Sequence, residues 1–311
     1  MTDLDHALGE YLKVRRALGY QLERDGRLLP DFIEFLHQAG ADHITSDLAL
    51  RWAMQPAAAH AAWWRSRLTI VRGFARYLHP IDPASEIPPR GLLKARRPRI
   101  TPYLYSPAEI DALMTAAGAL KPVLRAATYR TAIGLMSVTG IRIGEVIALN
   151  RGDVDLEDGV LRIRGKRGRE REVALHTTTT AALCDYRDIR DRHWPQPTTP
   201  AFFLSSRGER LLGGSFHDTF RVIIKHAGLE GRGERCRPRP HDLRHSMAVR
   251  TLIGWYRAGE NVDAKLPLLC TYLGHRDPAS TYWYLQASPE LLALAAERLS
   301  PLQPERSEGS R

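Results

Sequence analysis

Pro80, Pro83, Pro88, Pro89, Pro98, Pro102 and Pro107 bracket the basic run KARRPR at 94–99, and no other stretch restricts the fold as much. Proline lacks a main-chain N–H, clashes with the preceding helical turn and biases the residue before it toward extended backbone. No helix or central strand can therefore cross this stretch. The cores must lie on either side of it, and 311 residues suffice for two. The expected layout is a helical domain over 1–95, a stiff basic linker over 96–105, a second domain over 106–302 and a polar tail over 303–311.

In the first domain apolar residues recur at helical spacing. The segments run from Leu4 to Leu18 before Gly19, from Leu28 to Gln38 before Gly40, briefly after Thr45 or Ser46, and from Ala57 to Leu78 before Pro80. On the last of these, Trp64, Leu68, Val71, Ala75 and Leu78 make the core-facing stripe. Arg65, Arg72 and Arg76 share another face, one that can lie along a phosphate backbone. The second domain opens at Ser106, where SPAEIDALM gives an N-cap, a proline at the first helical position and an acid in the first turn. Thr128 to Leu149 reads as helix interrupted around Thr139 to Ile143. GVLRIRGKRGREREVALH then alternates on both sides of GKRGR, as a β-hairpin does. Helical patterns resume at about 177–190, 214–227, 242–258 and 290–299, and the span from 259 to His275 is assigned no element. The fold class is mainly α with a small β-hairpin sheet: an all-helical N-terminal domain and an α+β second domain.

Lys and Arg number 45 against 35 Asp and Glu, a net charge of +10 that favours an anionic partner. Cys184, Cys236 and Cys270 lie too far apart for a CxxC site and suit a reducing interior. No run of about 18 apolar residues appears, and MTDLDHALGEYL lacks a cationic start followed by an apolar stretch, so the expectation is a cytoplasmic protein with no membrane association. No HExxH or Cys/His pattern offers a metal site, and no GxxxxGK[ST] or GxGxxG offers a nucleotide loop. No cofactor is expected.

The chemistry rests on a dispersed set: Arg142 in TGIRIGEV, His241 and Arg244 in HDLRH, His275 in LGH, and a tyrosine of STYWYLQ. A tyrosine oxygen is an accepted covalent nucleophile, and phosphoryl transfer depends on cations that neutralise charge on non-bridging oxygens. Arginine forks can hold such oxygens bidentately. His241 and Arg244, three apart on a helix, can address one phosphate. Tyr282 and Tyr284 compete for the nucleophile's role, since helical spacing turns them to different faces. Glu145 and Asp242 are expected to orient the basic groups.

In this order the motifs resemble the tyrosine recombinase family, of the phage integrase and Xer type. The resemblance runs from Ser106 to about Leu299 and extends more loosely over the N-terminal helices, which look like the family's core-binding domain. It matches Thr139, Gly140, Arg142 and Glu145 to TGxRxxE, Lys166 to the hairpin lysine, His241 and Arg244 to HxxR, His275 to LGH, and Tyr284 to the nucleophile. Lys166 would then be the general acid for the leaving 5′ oxygen. The implied function is a site-specific recombinase or integrase for double-stranded DNA. It would act through a 3′-phosphotyrosine and a Holliday junction, as a monomer in solution that forms a homotetramer on DNA. The family's C-terminal helix often docks on the adjacent protomer. DNA contacts are expected from Arg65, Arg72 and Arg76, from Arg96 and Arg97 of the linker, and from Arg164, Arg167 and Arg169 of the hairpin. Two departures stand out: the long span before His275, and Leu285 and Gln286 where the family often carries a histidine. The alternatives are a type IB topoisomerase, although the usual lysine of SKxxY is missing before Tyr284, and a DNA-binding protein without catalysis.

Overall fold

In the computed structural model the chain divides into two compact units, Met1–Arg99 and Ile100–Arg311. The structure describes residues 3–93, 101–165, 170–233, 236–275 and 289–299.

The first unit contains α1 (Leu4–Ala17), α2 (Asp25–Gln38), α3 (Ser46–Met54) and α4 (Ala61–Leu78). Their apolar faces share one core in which Leu29, Phe32, Trp52, Val71, Phe74 and Leu78 are wholly buried. Asp3 caps α1 by accepting the Asp5 and His6 N–H groups, and Thr45 caps α3 through Leu48 N–H. Helix α2 starts at Asp25 rather than at Leu28, because its first turn is polar and adds nothing to an apolar pattern. Helix α4 starts at Ala61 rather than at Ala57. The Pro56 carbonyl takes the Ala59 N–H at 2.9 Å and the Trp64 indole N–H at 2.9 Å, so the alanines between form a turn. Arg67, not foreseen in the core, is buried. Its guanidinium lies 3.7 Å from the Trp52 ring centroid and donates to the Trp52 carbonyl.

The prolines beyond α4 do not begin a free linker at Pro80. Ser85 is buried and accepts the Ile44 N–H, the Glu86 N–H donates to the Ile44 carbonyl, and Arg72 donates from Nε to the Pro88 carbonyl at 2.6 Å and from Nη2 to that of Pro89 at 2.8 Å. That stretch is stitched to the helical unit.

In the second unit Ser106 and Glu109 form the reciprocal capping box of α5 (Pro107–Gly118), with Pro107 at its start. Next come α6 (Val123–Thr139) and α7 (Ile143–Ala148), then the antiparallel sheet of β1 (Val154–Asp155), β2 (Val160–Arg164) and β3 (Glu170–Ala174). The helices that follow are α8 (Thr177–His193), α9 (Gly213–His226), α10 (Pro240–Arg257), α11 (Val262–Leu273) and α12 (Pro289–Leu299). The fold is therefore mainly helical with one small sheet. Helix α11 fills the span before His275 to which no element was assigned. Asn261 caps it through Ala264 N–H, and Val262, Leu266, Leu269 and Leu273 bury its inner side despite Pro267. Helix α6 packs against α5, α8 and α10, and strand β3 meets α11. Helix α12 seats on its own domain: Leu291 is wholly buried among residues of α10 and α11, and Glu290 pairs with Arg257 at 2.6 Å. Among the described residues no helix is long and apolar enough to cross a membrane.

Candidate active site

The turn between α6 and α7 carries Thr139, Gly140, Ile141 and Arg142. Gly140 ends α6 at φ +64°, where a β-carbon would sit 2.9 Å from Leu273 Cδ2 and 3.2 Å from Met247 Sδ. Only glycine lets α10 and α11 close on this turn. Arg142 follows as the residue before α7. Its main-chain N–H donates to Glu145 Oε2 at 2.9 Å, its Nη1 to Glu145 Oε1 at 3.0 Å, and its Nη2 reaches toward the Gly274 carbonyl at 3.5 Å.

Arg244, on α10, is buried. Its Nη1 donates to the Gly140 carbonyl at 2.8 Å and its Nη2 to that of Leu273 at 2.6 Å. One guanidinium thus ties the Arg142 turn to the end of α11. Gly274 ends α11 at φ +67°, and the Arg171 guanidinium comes so near that a β-carbon there would lie 2.8 Å from its Nη1. His275 follows, its N–H held by the Cys270 carbonyl.

His241 stands one turn before Arg244 and is exposed at its surface. The protein crowded around its ring, followed by the charges of Arg244, Arg142 and Arg239, pushes it down to about 4. Burial, then Arg244, Arg142, His241 and Arg171, lower His275 to about 4 as well. The same two arginines act on both rings, so the four groups share one electrostatic site. Both imidazoles are neutral at pH 7, each able to donate one hydrogen bond without adding charge.

Residues 105–290, more than half the chain, match the phage integrase family. The chain belongs to that family. An integrase/recombinase of Sinorhizobium fredii, y4rB, is 43% identical over 306 residues, covering 96% of this chain and 98% of its own length. Tyrosine recombinase XerC of Chlamydia trachomatis is 32% identical over 235 residues, covering 73% of this chain and 67% of its own. The Tn1549 transposon integrase in complex with transposon right end DNA superposes at a TM-score of 0.66 and 17% identity, over 94% of this chain and 99% of that one. XerH site-specific recombinase bound to a palindromic difH substrate superposes at 0.59 and 20% identity, over 83% and 73%. These two likenesses speak to the fold.

In this integrase-family chain Arg142, His241, Arg244 and His275 come together from the α6–α7 turn, α10 and the end of α11. Lys166 and Tyr284 lie outside the described residues, as do Tyr282, Arg96, Arg97, Arg167 and Arg169. Arg164, expected at DNA, is ion-paired at 2.8 Å with Asp153, whose side chain is only 3% exposed and so needs a cation beside it. Arg72 of the α4 stripe is likewise engaged, with Pro88 and Pro89, while Arg65 and Arg76 remain exposed. Asp242 is wholly buried and forms a bidentate pair with Arg239.

Sequence reasoning missed three participants. Arg171 grips Glu145, its Nη1 meeting Oε1 at 3.1 Å and its Nη2 meeting Oε2 at 2.9 Å, and its Nε donates to the Tyr272 carbonyl. Its signal was strand parity, since Arg171 shares the inward face of β3 with buried Val173 and pairs across the sheet with buried Ile163. His245 sets its ring edge-on to His241 at 4.6 Å, and Arg239 adds its charge to both rings; the only hint was that His245 lies on the helix of HDLRH and Arg239 just before it.

Proposed function

We propose that Arg142, Arg244, His241 and His275 together hold one scissile phosphodiester and that Tyr284 attacks it. The chain is a site-specific recombinase of the integrase family, an enzyme that cuts and rejoins DNA strands. The Tyr284 oxygen gives up its proton to solvent and forms a bond to phosphorus, the bond to the 5′ oxygen breaks, and the leaving oxygen takes a proton from Lys166, which gives a 3′-phosphotyrosine. The arginine forks bind the non-bridging oxygens as their charge grows, and the neutral imidazoles donate to them. Reversal with a 5′ hydroxyl from a second duplex joins new partners through a Holliday junction. Such exchange calls for a closed ring of four chains on DNA, formed by chains that are single in solution, in the cytoplasm. The N-terminal unit acts as a core-binding domain, with Arg65 and Arg76 of α4 toward the phosphate backbone. The observation that supports this reading best is the double tie of Arg244, to the Gly140 and Leu273 carbonyls, which sets the Arg142 turn and the LGH turn around one buried cation.

A suicide substrate that traps the cleaved strand tests it. The wild type and Tyr282→Phe should accumulate covalent DNA, whereas Tyr284→Phe should bind the site and trap none. Trapping by Tyr284→Phe, or its loss in Tyr282→Phe alone, would move the nucleophile. Relaxation of supercoiled plasmid lacking a recombination site would favour the topoisomerase reading.

A further inference from the structure

Glu145 is one carboxylate between two guanidinium groups. Each of its oxygens accepts from both arginines: Oε1 from Arg142 Nη1 at 3.0 Å and Arg171 Nη1 at 3.1 Å, Oε2 from the Arg142 main chain at 2.9 Å and Arg171 Nη2 at 2.9 Å. The sharing is unequal. Arg171 makes the two-pronged contact, with its side chain 15% exposed, while Arg142 gives a single side-chain N–H and is 39% exposed. Burial opposes ionisation of Glu145, but the bonds to Arg171 and Arg142 and their charges outweigh it and hold the carboxyl below its usual range.

A nearly buried carboxylate left with one cation beside it draws that cation into a full bidentate pair, because that is the geometry that best offsets its lost hydration. With Arg171 absent, the cation would be Arg142. Its fork would close on Glu145 and its charge would be cancelled. Arg171 is well placed to prevent this, since its Nε is anchored on the Tyr272 carbonyl and its Nη1 lies against Gly274.

We propose that Arg171 is a positioning residue: by occupying both oxygens of Glu145 it keeps that carboxylate from pairing off Arg142, and so leaves the Arg142 fork and its charge for a DNA phosphate. This rests on the recombinase reading above. It makes an unusual demand, that removing Glu145 should help an enzyme that has lost Arg171.

The test uses the full chain and the suicide substrate, with single-turnover trapping at saturating DNA, half-site affinity by gel shift, and melting temperature. Arg171→Gln should slow trapping roughly tenfold or more, as expected when an electrostatic contribution to the transition state is removed. Arg171→Lys, which keeps a cation, should lose less. Arg171→Gln combined with Glu145→Gln should trap faster than Arg171→Gln alone, measured well below both melting temperatures so that a recovery of folding, which removing both partners of a buried pair can give, does not account for it. If Arg171→Gln does not fold, Arg171→Lys with and without Glu145→Gln carries the same comparison. Covalent trapping by the wild type, with an unimpaired Arg171→Gln or with no recovery in the double variant, overturns this inference alone. No trapping by the wild type overturns the recombinase reading and this inference with it.

Discussion

Arg76 on α4 and the arginines around Gly140 are the same residue type in opposite settings. Arg65 and Arg76 stand exposed on a helix surface, whereas Arg142, Arg171 and Arg244 are fixed by a carboxylate and by carbonyls from distant segments. An exposed charged end such as that of Arg76 can follow a backbone that slides past it. A clamped arginine has given up that freedom before any substrate arrives, so no ordering remains to be done when charge develops on the phosphate. Arg67 and Arg72 show that clamping alone is not catalysis, since they are held against Trp52 and the Pro88 and Pro89 carbonyls, where they serve the fold. What marks a working arginine is restraint beside neutral imidazoles.

The largest effect should come from the clamped set. Arg142→Lys and Arg244→Lys keep charge but lose the fork, and each should slow cleavage on the order of 10²-fold or more at saturating DNA. Near-normal rates would put these arginines in the class of Arg67. Gly140→Ala probes the clamp without touching a charge. A side chain at φ +64° costs about 1–2 kcal/mol before the clashes with Leu273 and Met247 are added, so thermal denaturation should show a clearly lowered melting temperature together with slowed cleavage. An unchanged melting temperature would mean that α10 and α11 yield easily. On α4, replacing Arg65 and Arg76 with Ala should reduce the slope of log affinity against log salt, by roughly 0.9 for each phosphate that is no longer neutralised. Arg72→Ala should instead lower stability by about 1 kcal/mol, because its hydrogen bonds disappear, and leave the slope alone. The reverse outcome would exchange their roles.

The smallest effect is in pH. His241 and His275 lie near 4 in the folded chain against an ordinary 6.5, so between those values the unfolded chain binds protons that the folded one does not. Their contribution to stability is whole above about 6.5 and declines as pH falls toward 4. A phosphate beside Arg142 and Arg244 cancels part of the charge that depresses the rings, so binding should take up protons near pH 5.5. Titration calorimetry in buffers of different ionisation enthalpy would detect this, and no proton uptake would place the phosphate away from the imidazoles.

Much of this was legible in the sequence because local chemistry and global fold agree there. SPAEIDALM carries its own cap, the alternation around GKRGR reads as a hairpin, and the glycine of TGIR ends the helix before Arg142. Helix α11 was not legible, because Pro267 reads as a stop although tertiary burial of Leu266, Leu269 and Leu273 holds the helix through it. Arg67 and Arg171 were not singled out, since arginine is seldom buried. Their positions say otherwise: Arg67 is one turn before Val71 on the apolar side of α4, and Arg171 is two residues before Val173 on β3. The partners that make such burial tolerable, Trp52 and Glu145, lie far off in the chain, and no local pattern announces them.

Leu291, seated among residues of its own α10 and α11, turns any exchange of α12 between chains into a contest of concentrations. A segment on a short tether faces its own site at an effective concentration of about millimolar, well above that of free protein in an assay. Under the assembly proposed above, a neighbour can compete for the helix only where DNA lines chains up side by side and raises the local supply of docking sites to match the tether. Assembly would then be licensed by proximity on the DNA, with no change in the protein's charge or sequence.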